Sequence, residues 1–414
     1  MAAGDNFRSS LQLLATRRFG TFWCANFLSN IGTWAQQVAQ PWLLLSLGAS
    51  SVLLGVDAFA MGAPVMALTL VGGYLADRAD RRRVILLFQS AQMLCPTLIV
   101  VLLITGGITP WIVIAMSLIV GITDALSMPA FQSIVPSIVS REQLPAGIAL
   151  NSTQFNLSRI VGPAVAGMLM ASYGAAGAFT VSALSYLPFI LVALWILPHG
   201  SGVAMPRAGF DRHAMLAAVR QVAQHPTLRG ALLTVLAGSF LCAPLLTFAP
   251  ILVQSTFNGN IGHFSLIMGA FGVGGMLGAM LLLGISPHVD RRKLASGLAG
   301  AYALTVALAS VAPWFWFVAL LFVLSGAAMT ACNSTANTLL LSDAPQQLRG
   351  QAASLFMIAV RGGSSAGSLL TGLSVNLLGV RHALLINGAL AIALQVAIGS
   401  GWRHHACLAD AHRQ

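Results

Sequence analysis

Twelve membrane-spanning α-helices in two pseudo-symmetric halves of six is the fold class that the sequence predicts, and three observations carry it. The first is composition. The 414 residues are 57% hydrophobic and only 7% charged, with a mean hydropathy of +0.83. That is more apolar side chain than a soluble core of this size buries, and enough for about twelve spans of roughly 20 to 25 residues. The second is where the charge lies. Eighteen of the 21 lysines and arginines fall at the termini and at alternate segment ends, the opposite ends hold only Arg381, and Arg159 and Arg361 lie inside apolar segments. This asymmetry places both termini in the cytoplasm. The third is repetition. Asp80-Arg81-Arg82-Arg83 after the second segment returns as Asp290-Arg291-Arg292-Lys293 after the eighth, and Arg159 on the fifth has its counterpart in Arg361 on the eleventh. The expected division is an N-terminal half over 1–197, a cytoplasmic linker over 198–229 and a C-terminal half with its tail over 230–414.

The first segment runs from about Phe19 to Leu47. It is too long and too polar for a secretory signal, which would be short and uniformly apolar before a cleavage site. Asn26, Asn30, Thr33 and Gln37 are spaced four, three and four apart and share one helical face. Such a face avoids lipid, either by hydrogen bonding to neighbouring helices or by lining a water-filled cavity. The second segment, about Ser51 to Leu75, carries Asp57, which suits either a second protonatable group or a polar interfacial residue. The third, Val84 to Thr105, is almost wholly apolar. Segment four, Pro110 to Ile138, carries Asp124; segment five, Pro145 to Ser172, carries Gln154 and Arg159; segment six covers Gly177 to Leu197. A Gly- and Pro-rich linker with a short amphipathic helix near Asp211 to Gln224 follows. Segments seven to twelve lie near Gly230 to Phe257, His263 to Ile285, Leu294 to Ala312, Trp314 to Ser342, Gln347 to Leu378 and His382 to Trp402. Tryptophans 42, 111, 195, 314 and 402 stand near segment ends, as interfacial anchors do.

Several function classes are disfavoured. The net charge of +11 lies in short loops with no aromatic-basic stripe, so it orients the chain in a membrane and implies no nucleic-acid partner. Four of the five cysteines sit in apolar segments, none forms a C-x-x-C pair, and the histidines fall in loops, at segment ends or in the tail, so neither metal nor redox work is expected. No nucleotide-binding loop is present to support an ATP-driven cycle, and the glycines of segment eight (Gly269, Gly272, Gly274, Gly275, Gly278) read as a tight-packing or sliding surface rather than a phosphate loop.

The stretch Gly72-Gly73-Tyr74-Leu75-Ala76-Asp77-Arg78-Ala79-Asp80-Arg81-Arg82-Arg83 puts two acids and four arginines into a turn between two apolar segments. It resembles the cytoplasmic loop between helices 2 and 3 of the major facilitator superfamily: Gly73, Leu75, Ala76, Asp77, Arg78, Arg81 and Arg82 match, and Asp80 replaces the usual second glycine. Asn151 to Gly167, which contains Arg159, Gly162 and Pro163, is similar to the fifth helix of the branch holding enterobactin-type siderophore exporters and macrolide efflux proteins, as is His225-Pro226-Thr227-Leu228-Arg229 before segment seven. Gly162, Pro163 and Gly167 also resemble the antiporter motif of drug exporters, although Ser158 and Ala166 replace glycines of that motif. Helix packing alone accounts for the same residues.

The resemblance implies alternating access between two halves, with Asp77 acting near the start of helix eleven, around Gln347 to Gln351, as an inner gate. At about 1.5 Å per residue Asp124 and Arg159 reach a similar depth and are able to pair; Arg361 lies at comparable depth in the other half. Two guanidiniums suit planar, bidentate recognition of an anionic or oxygen-rich ligand in a central cavity, whereas neutralisation within each half would leave them as packing residues. Asp124 is the first candidate for proton coupling and Asp57 the second. The expected protein is a non-enzymatic secondary exporter of an amphiphilic, siderophore-like small molecule in the bacterial inner membrane. It is expected to act as a monomer in lipid, driven by proton antiport without a cofactor. Multidrug or macrolide efflux is the alternative, nutrient import is less favoured, and a transporter-like sensor or scaffold that moves nothing is the rival of another class.

Overall fold

The computed structural model describes residues 12–78, 80–197, 220–222, 224–286, 289–345 and 348–411, with side chains described for all of these except 69–78, 81, 283 and 400–411. The expected linker, including the amphipathic helix near Asp211 to Gln224, lies almost wholly outside the described residues. Those described are helical with short turns and contain no strand. In order they form α1 (Arg17–Ser46), α2 (Ser51–Arg78), α3 (Arg81–Thr105), α4 (Pro110–Gln132), α5 (Ile134–Ile138), α6 (Leu144–Ile196), α7 (Pro226–Ala237), a π-helical turn (Gly238–Cys242), α8 (Pro244–Phe257), α9 (Ile261–Leu283), α10 (Arg291–Val311), α11 (Phe315–Asp343), α12 (Arg349–Met357), a second π-helical turn (Ile358–Gly362), α13 (Gly363–Leu378) and α14 (Val380–Ala411). Nine stretches among the described residues are long and apolar enough to cross a membrane.

The termini follow from local chemistry. Thr109 caps α4 by accepting the Ile112 N–H, with Pro110 in the first turn where no N–H is needed. Asn260 and His263 close a reciprocal capping box on α9. Asp80 accepts the Arg82 N–H at 3.0 Å, and Asp290 accepts the Arg292 N–H at 2.9 Å, so the two copies of the repeated charge run start their helices in the same way. Within α6, Gly174 adopts φ 64°, ψ −167°, a conformation closed to side chains with a Cβ, and breaks the 53-residue stretch into two helices.

The residues sort into two compact units, 1–47 with 64–210 and 48–63 with 211–414. In the first, α1 packs along α6. Gly32 leaves room for Ser182 and Ser185, and Gly162 for Trp34 and the α1 backbone at Ile31 and Ala35. Phe189 stacks on Phe131 with centroids 5.1 Å apart and meets Phe22 edge-on at 6.1 Å, closing an apolar cluster with Phe19, Ile85 and Ile134. In the second unit the glycine face of α9 meets α11: Gly274 and Gly278 lie against the backbone of Val323 and Ala327, and Gly326 against that of Phe271. Of the tight-packing or sliding surface expected of segment eight, the close packing is what these contacts show. The first half of α2 belongs to this unit, with Gly55 against Ser368 and Leu369 and Ser51 Oγ donating to the Gly372 carbonyl at 3.1 Å. Leu94, Ile104, Leu191, Leu281 and Leu377 point outward and are largely exposed, as residues solvated by lipid are.

Candidate functional site

In the first unit the polar face of α1 meets α6. Asn26 Nδ2 donates to Asn151 Oδ1 at 3.2 Å and to Gln154 Oε1 at 3.1 Å, and Asn30 Nδ2 donates to the Asn26 side chain and carbonyl at 3.2 and 3.0 Å. Gln154 is fully buried and passes the chain on to Ser158 Oγ at 3.3 Å. Thr33 donates to the Ser29 carbonyl at 3.1 Å and touches the Tyr186 hydroxyl at 3.4 Å. The spacing of Asn26, Asn30 and Thr33 thus corresponds to one hydrogen-bonded face. Gln37, the fourth residue of the pattern, is half-buried.

Arg159 is half-buried on α6, with its guanidinium carbon 5.6 Å from the ring centre of Trp34, which in turn meets Phe155 edge-on at 5.7 Å. Gly162, one turn further on, permits this approach because any side chain there would collide with Trp34. Ion pairs within 4 Å among the described residues include Arg83–Asp80 and Arg292–Asp343, both 3.9 Å. Equal depth along two helices leaves the direction of each side chain open, and Arg159 turns to the aromatic face of α1. Such stacking offsets part of the cost of a charge in apolar surroundings, and it engages the face of the guanidinium, whereas oxygen ligands bind at its N–H edge.

A second polar chain links α4, α1 and the latter part of α6. Gln40 Nε2 donates to Ser117 Oγ at 2.6 Å, Gln36 Nε2 lies 3.4 Å from Gln40 Oε1, and Ser182 Oγ donates to Gln36 Oε1 at 2.8 Å. These side chains are all buried. Gln36 and Gln40 break the apolar run one turn apart, which is the sequence signal for this chain; Ser117, Ser182 and Tyr186 carry none, because serine and tyrosine are ordinary in apolar helices. Asp124 is half-buried on α4.

In the second unit Arg361 lies inside the π-helical turn Ile358–Gly362, half-buried and without an ion pair among the described residues. A π-turn widens the helix by one residue and shifts the side chains around it. The turn at Gly238–Cys242 stands beside it. Gly363 meets Leu236 and Ser239, and Gly367 meets the backbone of Phe240, so no side chain at either position separates the two helices. Thr247 and Ser368 share a hydrogen bond at 3.0 Å and Asn387 donates to Thr371 at 2.8 Å. Asp57, on the first half of α2, is 8% exposed.

Of the charged turn, Gly73, Asp77 and Arg78 fall in α2 and Arg81 begins α3, but their side chains lie outside the described ones. Arg82 is visible and reaches the Leu197 carbonyl at 3.4 Å. Pro163 and Gly167 are buried beside Gly162. No cluster of three or more metal-ligating side chains occurs among the described residues.

The profile of the transmembrane secretion effector family of the major facilitator superfamily matches residues 8–410. The chain is 25% identical over 377 residues to the staphyloferrin A transporter of Staphylococcus aureus, covering 90% of this chain and 93% of that protein. It is 26% identical over 371 residues to the enterobactin exporter EntS of Salmonella typhi (88% and 87%), and 23% identical over 384 residues to macrolide efflux protein A of Streptococcus pyogenes (92% and 94%). Among solved structures it is similar in fold to the nucleoside transporter NupG, with a TM-score of 0.72 at 14% identity over 94% of this chain and 99% of that one.

Proposed function

The chain belongs to the transmembrane secretion effector family of the major facilitator superfamily, a multi-pass membrane transporter, and we propose that it exports an amphiphilic small molecule with siderophore-like oxygen donors. The observation that carries this reading is the match along nearly the whole chain to relatives named as siderophore transporters and efflux proteins. Drug or macrolide efflux is the second reading, favoured by the likeness to macrolide efflux protein A and to the multidrug efflux pump Tap of Mycolicibacterium fortuitum.

Twelve spans are the topology proposed. The nine apolar stretches include α6, which Gly174 divides in two, and the polar-faced α1 and the α12–α13 rod have transmembrane length. With basic residues at one set of ends, both termini lie in the cytoplasm of a bacterial inner membrane. Arg159, presented on Trp34, and Arg361, presented on a π-turn, act as ligand-selecting cations in their respective halves. Asn26, Asn30, Thr33, Gln37 and Gln154 form the polar wall beside Arg159. Asp124 is the proton-coupling carboxylate, with Asp57 the alternative, and the proton gradient supplies the drive.

Secretion and sensitivity of a deletion strain, across a panel of siderophores and antibiotics, test the substrate class. Loss of secretion of a siderophore, restored by the intact gene, supports the first reading. Unchanged siderophore secretion with a new macrolide or drug sensitivity moves the assignment to the second, and no change across the panel contradicts export of either class.

A further inference from the structure

Where the end of α9 and the start of α10 meet α11, they leave a cavity of about 140 Å³ whose lining includes Leu282, Arg291 and Leu294 on one side and Ser334, Thr335 and Thr338 of α11 on the other. That is the room of about five waters. It admits a three-carbon polyol but falls below the roughly 300 to 1,000 Å³ of a site for drug-sized molecules, so it does not hold the exported amphiphile. Two observations set its level. Arg292 and Asp343 approach to 3.9 Å, which puts the start of α10 beside the end of α11, and the apolar stretch of α9 closes at Leu282. The cavity therefore lies at a membrane surface, at the end that carries Arg291, Arg292 and Lys293. Thr338, Thr335 and Ser334 come five, eight and nine residues before Asp343, about 7 to 14 Å further in along the helix.

The polar groups divide by what they offer a ligand. Thr335 Oγ1 donates its proton to the Ala331 carbonyl at 2.7 Å, and Thr338 Oγ1 donates to the Ser334 carbonyl at 2.8 Å. Each hydroxyl has one proton, so toward the cavity both act as acceptors and call for a ligand with donors of its own. Arg291 is the reverse: a guanidinium has only donors and a full charge, and it calls for an anionic acceptor. It is exposed and forms no ion pair among the described residues, whereas Arg292 is held by Asp343. The start of α10 is itself taken, because Asp290 accepts the Arg292 N–H at 2.9 Å, so what an anion finds here is the side chain of Arg291. Hydroxyls suit the inner end better than an ammonium, which would bring a second cation toward Arg291 and lose its water against Leu282 and Leu294.

We propose that this cavity binds a glycerophosphate, with the phosphate on Arg291 and the glycerol hydroxyls donating to Thr335 and Thr338. The same chemistry reaches a membrane surface in two forms, as free glycerol phosphate and as the headgroup of phosphatidylglycerol. Bound there, it ties the start of α10 to α11 and sets its carbons against Leu282 and Leu294. Basic pockets between spanning helices hold anionic headgroups in this way. The second copy of the charge run then has a use of its own. It lacks the Asp77-Arg78 pair that precedes the first copy and has Pro287 and His288 in those places.

The test needs no transported substrate. Glycerol phosphate, glycerol and inorganic phosphate are titrated calorimetrically into purified full-length protein in phosphatidylcholine nanodiscs. In a second arm, phosphatidylglycerol and phosphatidylethanolamine compete with phosphatidylcholine for the protein in detergent, with bound lipid read by native mass spectrometry. Glycerol phosphate binding about tenfold more tightly than glycerol or phosphate supports the proposal and assigns a soluble source. Retention of phosphatidylglycerol over the other two lipids supports it and assigns the membrane. Arg291→Gln should weaken the preferred form about tenfold, as loss of a charge-assisted hydrogen bond does. Lys293→Gln removes the same charge from the same helix start but outside the cavity lining, and should change binding less than about twofold. Thr335→Val with Thr338→Val removes the acceptors and should abolish the advantage of the hydroxylated form. No preference in either arm overturns the proposal, and equal weakening by Arg291→Gln and Lys293→Gln overturns it by reducing the site to surface charge. Should the valine variant not fold, the comparison of those two cation variants decides.

Discussion

At the scale of single residues, the arginines explain the economy of a chain that places so few charges within its apolar segments. Inserting an arginine at mid-membrane costs roughly 2.5 to 3.5 kcal/mol even on insertion scales, and the stack on Trp34 returns about 0.5 to 2 kcal/mol of this at Arg159. Oxygen acceptors on a ligand would offset more of it. Lysine would keep the charge but lose the planar fork and stack less well. Arg159→Lys should therefore weaken binding of an oxygen-rich ligand about tenfold, and Arg159→Gln at least as much. The same pair of changes at Arg361 should follow the same order. Equilibrium binding on purified, folded protein checks this, and equal affinity in all variants would return both residues to a packing role.

At the scale of elements, the close approach of α1 to α6 depends on the absence of a side chain at Gly162. A Cβ there would overlap Trp34 and press on the Ile31 carbonyl at 3.0 Å and the Ala35 nitrogen at 3.2 Å. Gly162→Val should cost about 1 to 3 kcal/mol, as overpacking does, and displace the Trp34 ring from Arg159, so that stability and ligand affinity fall together. Gly297 on α10 faces open space, with nothing within 4 Å of where a Cβ would stand. Gly297→Ala should therefore leave binding intact and raise stability by up to about 1 kcal/mol through helix propensity. Thermal unfolding in detergent compares the two. A Gly162→Val protein as stable as the wild type would mean that the helix pair is looser than its geometry.

At the scale of the whole molecule, the all-helical class and its apolar stretches were legible because hydropathy and the placement of basic residues report directly on membrane solvation. The family was legible from the ordered motif around Asp77 and from Asn151 to Gly167. The candidate site was legible only in part. Helical spacing identified the face of Asn26, Asn30 and Thr33, but depth along a helix does not give direction around it, so the stack of Arg159 on Trp34 was not legible. The π-turns at Gly238–Cys242 and Ile358–Gly362 left no residue pattern, because they arise from how two helices pack. Asp77 carries the prediction that belongs to this scale. As an inner gate, Asp77→Asn should shift the population inward-open and slow transport while the protein still folds. Cysteine accessibility at cytoplasmic positions, measured together with turnover, reads this, and wild-type values for both would remove the gating role.

The central claim, that this transporter drives its substrate uphill by exchanging it for protons through Asp124, is tested most directly in proteoliposomes. The substrate identified by the secretion panel is followed against its own gradient under an imposed pH gradient, with proton counterflow recorded by a trapped dye. The account predicts that the wild type accumulates substrate with matching proton movement, whereas Asp124→Asn binds it and exchanges it but accumulates none. Full accumulation by Asp124→Asn with an unchanged proton-to-substrate ratio, or a wild type that moves substrate only downhill and releases no protons, would contradict it.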